Sequence, residues 1–160
     1  MKIASWFTLS THKKIILVIS IAAIVLIGIV SATFLTKKVV MTKPVYWHVM
    51  GEKAHMSFRI NPDSKTRQTF RLDVWLPTGI GAPENVSVQM VEKGGNELRL
   101  TIPLEFVTGG PDPYGFEGFD KYSYEAKGNI LTEKGEWDIS IEFTDSKGQV
   151  HSYEKSVTVS

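Results

Sequence analysis

After Pro44, apolar residues fall on alternate positions along most of this chain. Met56, Phe58 and Ile60 alternate with His55, Ser57 and Arg59, and Phe70, Leu72, Val74 and Leu76 alternate with Arg71, Asp73 and Trp75. Val86, Val88 and Met90, then Leu98, Leu100 and Ile102, then Trp137, Ile139, Ile141 and Phe143 keep the same period. A period of two belongs to strands with one face buried and one face wetted. Turn formers punctuate the pattern at Asn61-Pro62-Asp63-Ser64, Pro77-Thr78-Gly79, Gly94-Gly95-Asn96 and Asp145-Ser146-Lys147-Gly148. Residues 108–122 hold four Gly and two Pro and read as the longest loop. Gly135-Glu136-Trp137 opens a strand that the turn at 145–148 returns through 150–159, a long terminal hairpin. No helical period occurs after residue 44. About seven short one-faced strands predict an all-β, immunoglobulin-like antiparallel β-sandwich. The chain has no cysteine, so Trp75 or Trp137 is expected to anchor the core without a disulfide.

The front of the chain follows another rule. Residues 15–35 are 21 consecutive uncharged positions, bounded by Lys13 and Lys14 on one side and Lys37 and Lys38 on the other. At roughly 1.5 Å per residue a helix of that length reaches about 32 Å, enough for a hydrocarbon core of about 30 Å. It is apolar all round, which excludes an amphipathic surface helix. A cleaved signal peptide competes, with Val30-Ser31-Ala32 as a small-residue cleavage site. The run continues past that site to Leu35 and ends in two lysines, which favours an anchor. The expected organisation is a basic segment at 1–14, a transmembrane helix (signal anchor) at 15–36, a linker at 37–44 and the sandwich at 45–160. Three lysines flank the span on either side, so the positive-inside rule leaves its orientation open.

Charge changes the picture only when the chain is divided. The net charge is +1, but residues 1–43 carry six Lys and no acid, leaving 12 basic groups against 17 acids, or −5, for the remainder. An acidic domain of this kind is not a nucleic-acid binder. The absence of cysteine removes thiolate metal sites and a Cys nucleophile.

No nucleotide cradle, nucleophile elbow or zinc-protease motif is present, and no catalytic grouping is visible, so the chain does not read as an enzyme. His151 reads as a wetted strand residue. Asp112, Glu117 and Asp120 fit no calcium-loop spacing. Asn85-Val86-Ser87 matches a glycosylation sequon but lies in a strand pattern. Trp47-His48-Val49-Met50-Gly51-Glu52-Lys53-Ala54-His55-Met56 is different, with two of the four His and two of the five Met in ten residues. Imidazole with thioether suits copper, Cu(I) more than Cu(II). If residues 51–54 form the loop of a hairpin, Met50 faces His55, Val49 faces Met56, His48 faces Ser57 and Trp47 faces Phe58. The core-satisfying register then sets Val45, Trp47, Val49, Met56, Phe58 and Ile60 on one face and His48, Met50 and His55 on the other. Opposed Cβ atoms are about 5 Å apart and diagonal ones about 7–8 Å, close enough for three side chains to meet one ion. Met56, turned inward by this register, is a reserve ligand, and the Trp47 ring is a candidate cap by cation–π attraction. The competing reading is ordinary packing at a strand pair.

The run Trp47-His48-x-Met50-Gly51-(x)3-His55-Met56, followed by Phe70-x-Leu72-x-Val74-Trp75-Leu76-Pro77, resembles the YtkA-like domain. That domain occurs alone behind a membrane anchor and at the extracytoplasmic end of CopC/CopD-type bacterial copper transport and resistance proteins. Tyr124-x-Ala126-x-Gly128, Gly135-x-Trp137-x-Ile139-x-Ile141 and Asp145-(x)2-Gly148 are similar too, so the likeness runs roughly from residue 45 to 160. The resemblance implies a bacterial β-sandwich held outside the cell membrane by a single pass, amino terminus inside, and associated with copper homeostasis. The implied partners are the membrane and a copper transporter or oxidase, with no small-molecule substrate. Two other functions stay open: an envelope protein-interaction module without metal, and a copper-oxidase assembly factor similar in layout to FixH-like proteins.

Overall fold

A computed structural model describes residues 43–64, 67–94 and 98–160. The basic segment, the transmembrane helix and most of the linker lie outside the described residues. Nine strands form two antiparallel sheets, and among the described residues there is no helix. In chain order the strands are β1 (Val45–Met50), β2 (His55–Ser64), β3 (Arg67–Pro77), β4 (Glu84–Lys93), β5 (Arg99–Thr101), β6 (Glu105–Pro111), β7 (Phe119–Gly128), β8 (Gly135–Thr144) and β9 (Val150–Val159). The larger sheet runs β1-β2-β3-β7-β6 and the smaller one β5-β4-β8-β9.

Alternation decides which face of each strand is dry. Met56, Phe58, Ile60, Phe70, Leu72, Val74 and Leu76 from the first sheet meet Val88, Met90, Trp137, Ile139, Ile141 and Phe143 from the second, all fully buried. Each such side chain contributes about 1.5–3 kcal/mol by leaving water. Their polar neighbours, Arg59, Arg71, Ser123 and Glu125 among them, project from the outer face of the larger sheet and pair there. Trp137 is the tryptophan at the centre of the core. Trp75 is not: it stands between His55 on β2 and Lys121 on β7, on the outer face.

Two strands, β6 and β7, exceed the expected seven, and their adjoining ends fall where the sequence reads as loop. Of residues 108–122, 108–111 belong to β6, 119–122 to β7 and 112–118 to the connection between them. β6 is an edge strand, so Pro111 removes no ladder hydrogen bond that an inner strand would need. Gly109 lies flat beneath the Tyr122 ring, where any Cβ would collide. In β7, Tyr122, Tyr124 and Ala126 face inward, and the Tyr124 hydroxyl donates to the Pro83 carbonyl at 3.2 Å. Burial, followed by the neighbouring Tyr122, pushes the Tyr124 phenol up to about 12.

Candidate metal centre

The β1–β2 hairpin has the register that the apolar pattern requires. Trp47 opposes Phe58, His48 opposes Ser57, Val49 opposes Met56 and Met50 opposes His55. The turn is closed by the Gly51 N–H, which donates to the Ala54 carbonyl at 3.1 Å. His48, Met50 and His55 therefore share the outer face of the sheet. Met50 is 66% exposed and His48 is exposed, whereas His55 is only 9% exposed. Met56 is on the opposite face, fully buried between the sheets, and is not part of this grouping. Trp47 is also turned inward, with the Lys155 ammonium 5.9 Å from its ring centroid. The rings beside the imidazoles are others.

Those rings are Trp75, Phe116, Phe119 and, beside His48 on its own strand, Tyr46 at 6.3 Å. His55 lies 4.5 Å, centroid to centroid, from both Phe116 and Phe119. His48 lies 6.2 Å from Phe116 and 6.3 Å from Trp75. Phe116 comes from the connection between β6 and β7, which Asp112 anchors onto the sheet, and Phe119 is the first residue of β7. The Trp75 Nε1–H donates to Asp112 Oδ2 at 3.1 Å, and the Tyr114 and Gly115 N–H groups turn back to Asp112. Asp112 and Asp120 are thus occupied in holding loops, Asp120 accepting from Thr78 and the Gly79 N–H.

This cover has an electrostatic result. His55 Nδ1 is buried without a hydrogen-bond partner. Burial first, and then the charge of His48, pull the His55 imidazole below its ordinary value, which favours the uncharged ring. An orphaned polar atom of this kind costs about 1–3 kcal/mol in a folded protein unless something satisfies it. Two imidazoles and a thioether on one face are the donor types that suit a soft metal ion. Among the described residues no three His, Asp or Glu side chains gather to hold a metal.

Next to this group lies a buried charge. Asp73 is fully buried on β3 and takes Arg71 Nε at 3.0 Å, Arg59 Nη2 at 3.3 Å, Lys121 Nζ at 3.5 Å and the Ser123 hydroxyl at 2.6 Å. Burial works to raise its carboxyl, but the Ser123 hydrogen bond and the Lys121 and Arg71 charges prevail and hold it below the usual carboxylate range. Lys121 also sits 4.9 Å above the Trp75 ring.

His151 differs from its sequence reading. It is 8% exposed, stacked on Phe143 at 5.0 Å, with Nε2 3.4 Å from Asp145 Oδ2. Inward parity on β9 explains the burial, and Asp145, which also accepts from the Lys147 and Gln149 N–H groups, supplies the polar partner. Pattern reasoning also missed Trp75, Phe116 and Phe119 as neighbours of the cluster. The available signal was a tryptophan on the polar parity of β3 and two phenylalanines in the Gly/Pro-rich stretch 108–122.

No family model matches the chain, and no curated protein matches it. Among solved structures, the GAE domain of GGA2p from Saccharomyces cerevisiae aligns over 72% of this chain and 98% of its own, with 8% identity and a TM-score of 0.35. The yeast GGA1 GAE domain aligns over 74% and 99%, with 8% identity and a TM-score of 0.34. Likenesses of that size carry no argument about what this chain does.

Proposed function

We propose that this chain is a membrane-anchored, extracytoplasmic copper-handling accessory domain, an immunoglobulin-like sandwich of YtkA-like type with no enzymatic activity of its own. Its site is His48, Met50 and His55, and its ion is Cu(I). The observation that carries this reading is the nine-tenths buried His55 with an orphaned ring nitrogen, set diagonally to His48 and opposite Met50. Thioether and imidazole together favour Cu(I) over harder ions. The uncharged run at 15–35 supports the anchor. The sequence likeness supports the amino terminus inside and a copper transporter or oxidase as partner.

The test is Cu(I) retention by the full chain in detergent against a chromophoric chelator. The expected result is one Cu(I) per chain, with binding weakened at least about tenfold in His48→Ala and in His55→Ala, as for loss of a ligand. If both variants hold copper as well as the parent, the cluster is packing and the metal-free interaction module takes its place. That second reading has its own support in Tyr46, Phe106, Val107 and Tyr114, large side chains that are all more than half exposed.

A further inference from the structure

The Phe116 ring packs against both imidazoles, 4.5 Å from His55 and 6.2 Å from His48 between ring centroids. It also meets Trp75 edge-on at 5.4 Å. Its position is enforced, because the Phe119 N–H donates to the Phe116 carbonyl at 3.1 Å and Asp112 ties the same connection to Trp75. One face of Trp75 is already taken by the Lys121 ammonium. Phe119 also lies 4.5 Å from His55 and Tyr46 lies 6.3 Å from His48, but the Phe116 ring reaches both imidazoles.

We propose that Phe116 is the specificity-determining residue of this site: its ring fills the volume in which an ion bridging His48 and His55 would keep its remaining water. The inference rests on the metal reading above. A divalent ion such as Zn(II) takes four ligands, and three protein donors leave one position for water. A phenyl ring there offers neither a lone pair nor room. A soft monovalent ion needs fewer donors and is attracted to a ring face as well as to nitrogen and sulfur. The ring thus rejects by exclusion what the ligands alone would accept.

The probes are Ag(I), an air-stable stand-in for Cu(I), and Zn(II), each titrated against a competing indicator into the full chain in detergent. In Phe116→Ala, Zn(II) affinity is expected to rise at least about tenfold, within the range by which groups around a metal's ligands tune affinity, while Ag(I) affinity stays within about threefold. Phe116→Leu keeps the bulk and is expected to go on excluding Zn(II). Circular dichroism checks the fold of each variant, and Phe116→Val replaces Phe116→Ala if the latter does not fold. Unchanged Zn(II) affinity in the smaller variant, or Zn(II) entry into Phe116→Leu equal to that in Phe116→Ala, would overturn the assignment. The double variant His48→Ala/His55→Ala separates the two levels. If it holds Ag(I) undiminished, the metal reading itself fails and the role of Phe116 falls with it.

Discussion

Met50 and Met56 lie six positions apart on one hairpin and answer to different forces. Met56 is fully buried against both sheets, so Met56→Ala is expected to cost about 2–5 kcal/mol in denaturant unfolding as a core truncation. Met50 is 66% exposed, and Met50→Ala is expected to change stability by no more than about 0.5 kcal/mol while weakening Cu(I) binding. Asp73 is the residue whose charge matters most to the fold. Asp73→Ala leaves Arg59, Arg71 and Lys121 facing one another, and a loss of about 3 kcal/mol is expected on thermal or denaturant unfolding. Its pH dependence has a definite sign. Because the folded carboxyl lies below its ordinary 3.8, the unfolded state binds protons first. The stabilisation is complete above about pH 5 and is lost as pH falls from there through the folded value. Denaturation midpoints of the parent should drop steeply in that acid window, with a shallower drop in Asp73→Ala. The partners of Asp73 were not legible in the sequence. Alternation places it on the wet face beside Arg71, two positions away on the same strand, and only the strand order, with β3 between β2 and β7, brings Arg59 and Lys121 to it as well.

At the scale of the element, the β1–β2 hairpin was the most legible part of the chain and the β6–β7 region the least. In the hairpin, six apolar residues must share a face, and a one-residue slip would turn all of them out, so the core alone selects the register. Gly51 completes it. A Cβ at Gly51 would stand 2.8 Å from the Ala54 carbonyl oxygen, too close for the turn to keep its shape. Gly51→Ala is therefore expected to cost about 1–3 kcal/mol in thermal unfolding and to weaken Cu(I) binding, because Met50 and His55 sit on either side of that turn. The β6–β7 pair hides because its pairing depends on exceptions. Gly109 serves a close approach to an aromatic ring, Pro111 is tolerated at an edge, and a register shift lies between Phe106 and Thr108. Composition reads each of these as a loop signal. The cover over His55 comes from this region, which is why the cluster was visible as a spacing of His and Met but its aromatic wall was not.

For the whole molecule, two antiparallel sheets closing on a shared core account for the described residues without any helix. The uncharged run at 15–35 makes a separate prediction: the full-length protein should partition with membranes and resist carbonate extraction. Recovery of a mature chain starting near residue 33 in the soluble fraction would mean that the leader is cleaved instead. The sheet order has one more consequence, and it concerns time. β1 is an edge strand, held on one side only, whereas β2 and β3 are held on both. Its amides should therefore exchange with deuterium faster than those of β2 and β3, through openings that leave the rest of the sandwich intact. His48 and Met50 travel with the strand that opens, and His55 stays with its neighbour. Were the three side chains to share an ion as proposed, it would clasp this edge seam, and at a concentration a hundred times its dissociation constant it would lower the open population about a hundredfold, or about 2.7 kcal/mol. The same clasp would work in reverse: each spontaneous opening of β1 would be a moment of release, so the breathing of an edge strand would bound how long such an ion could stay.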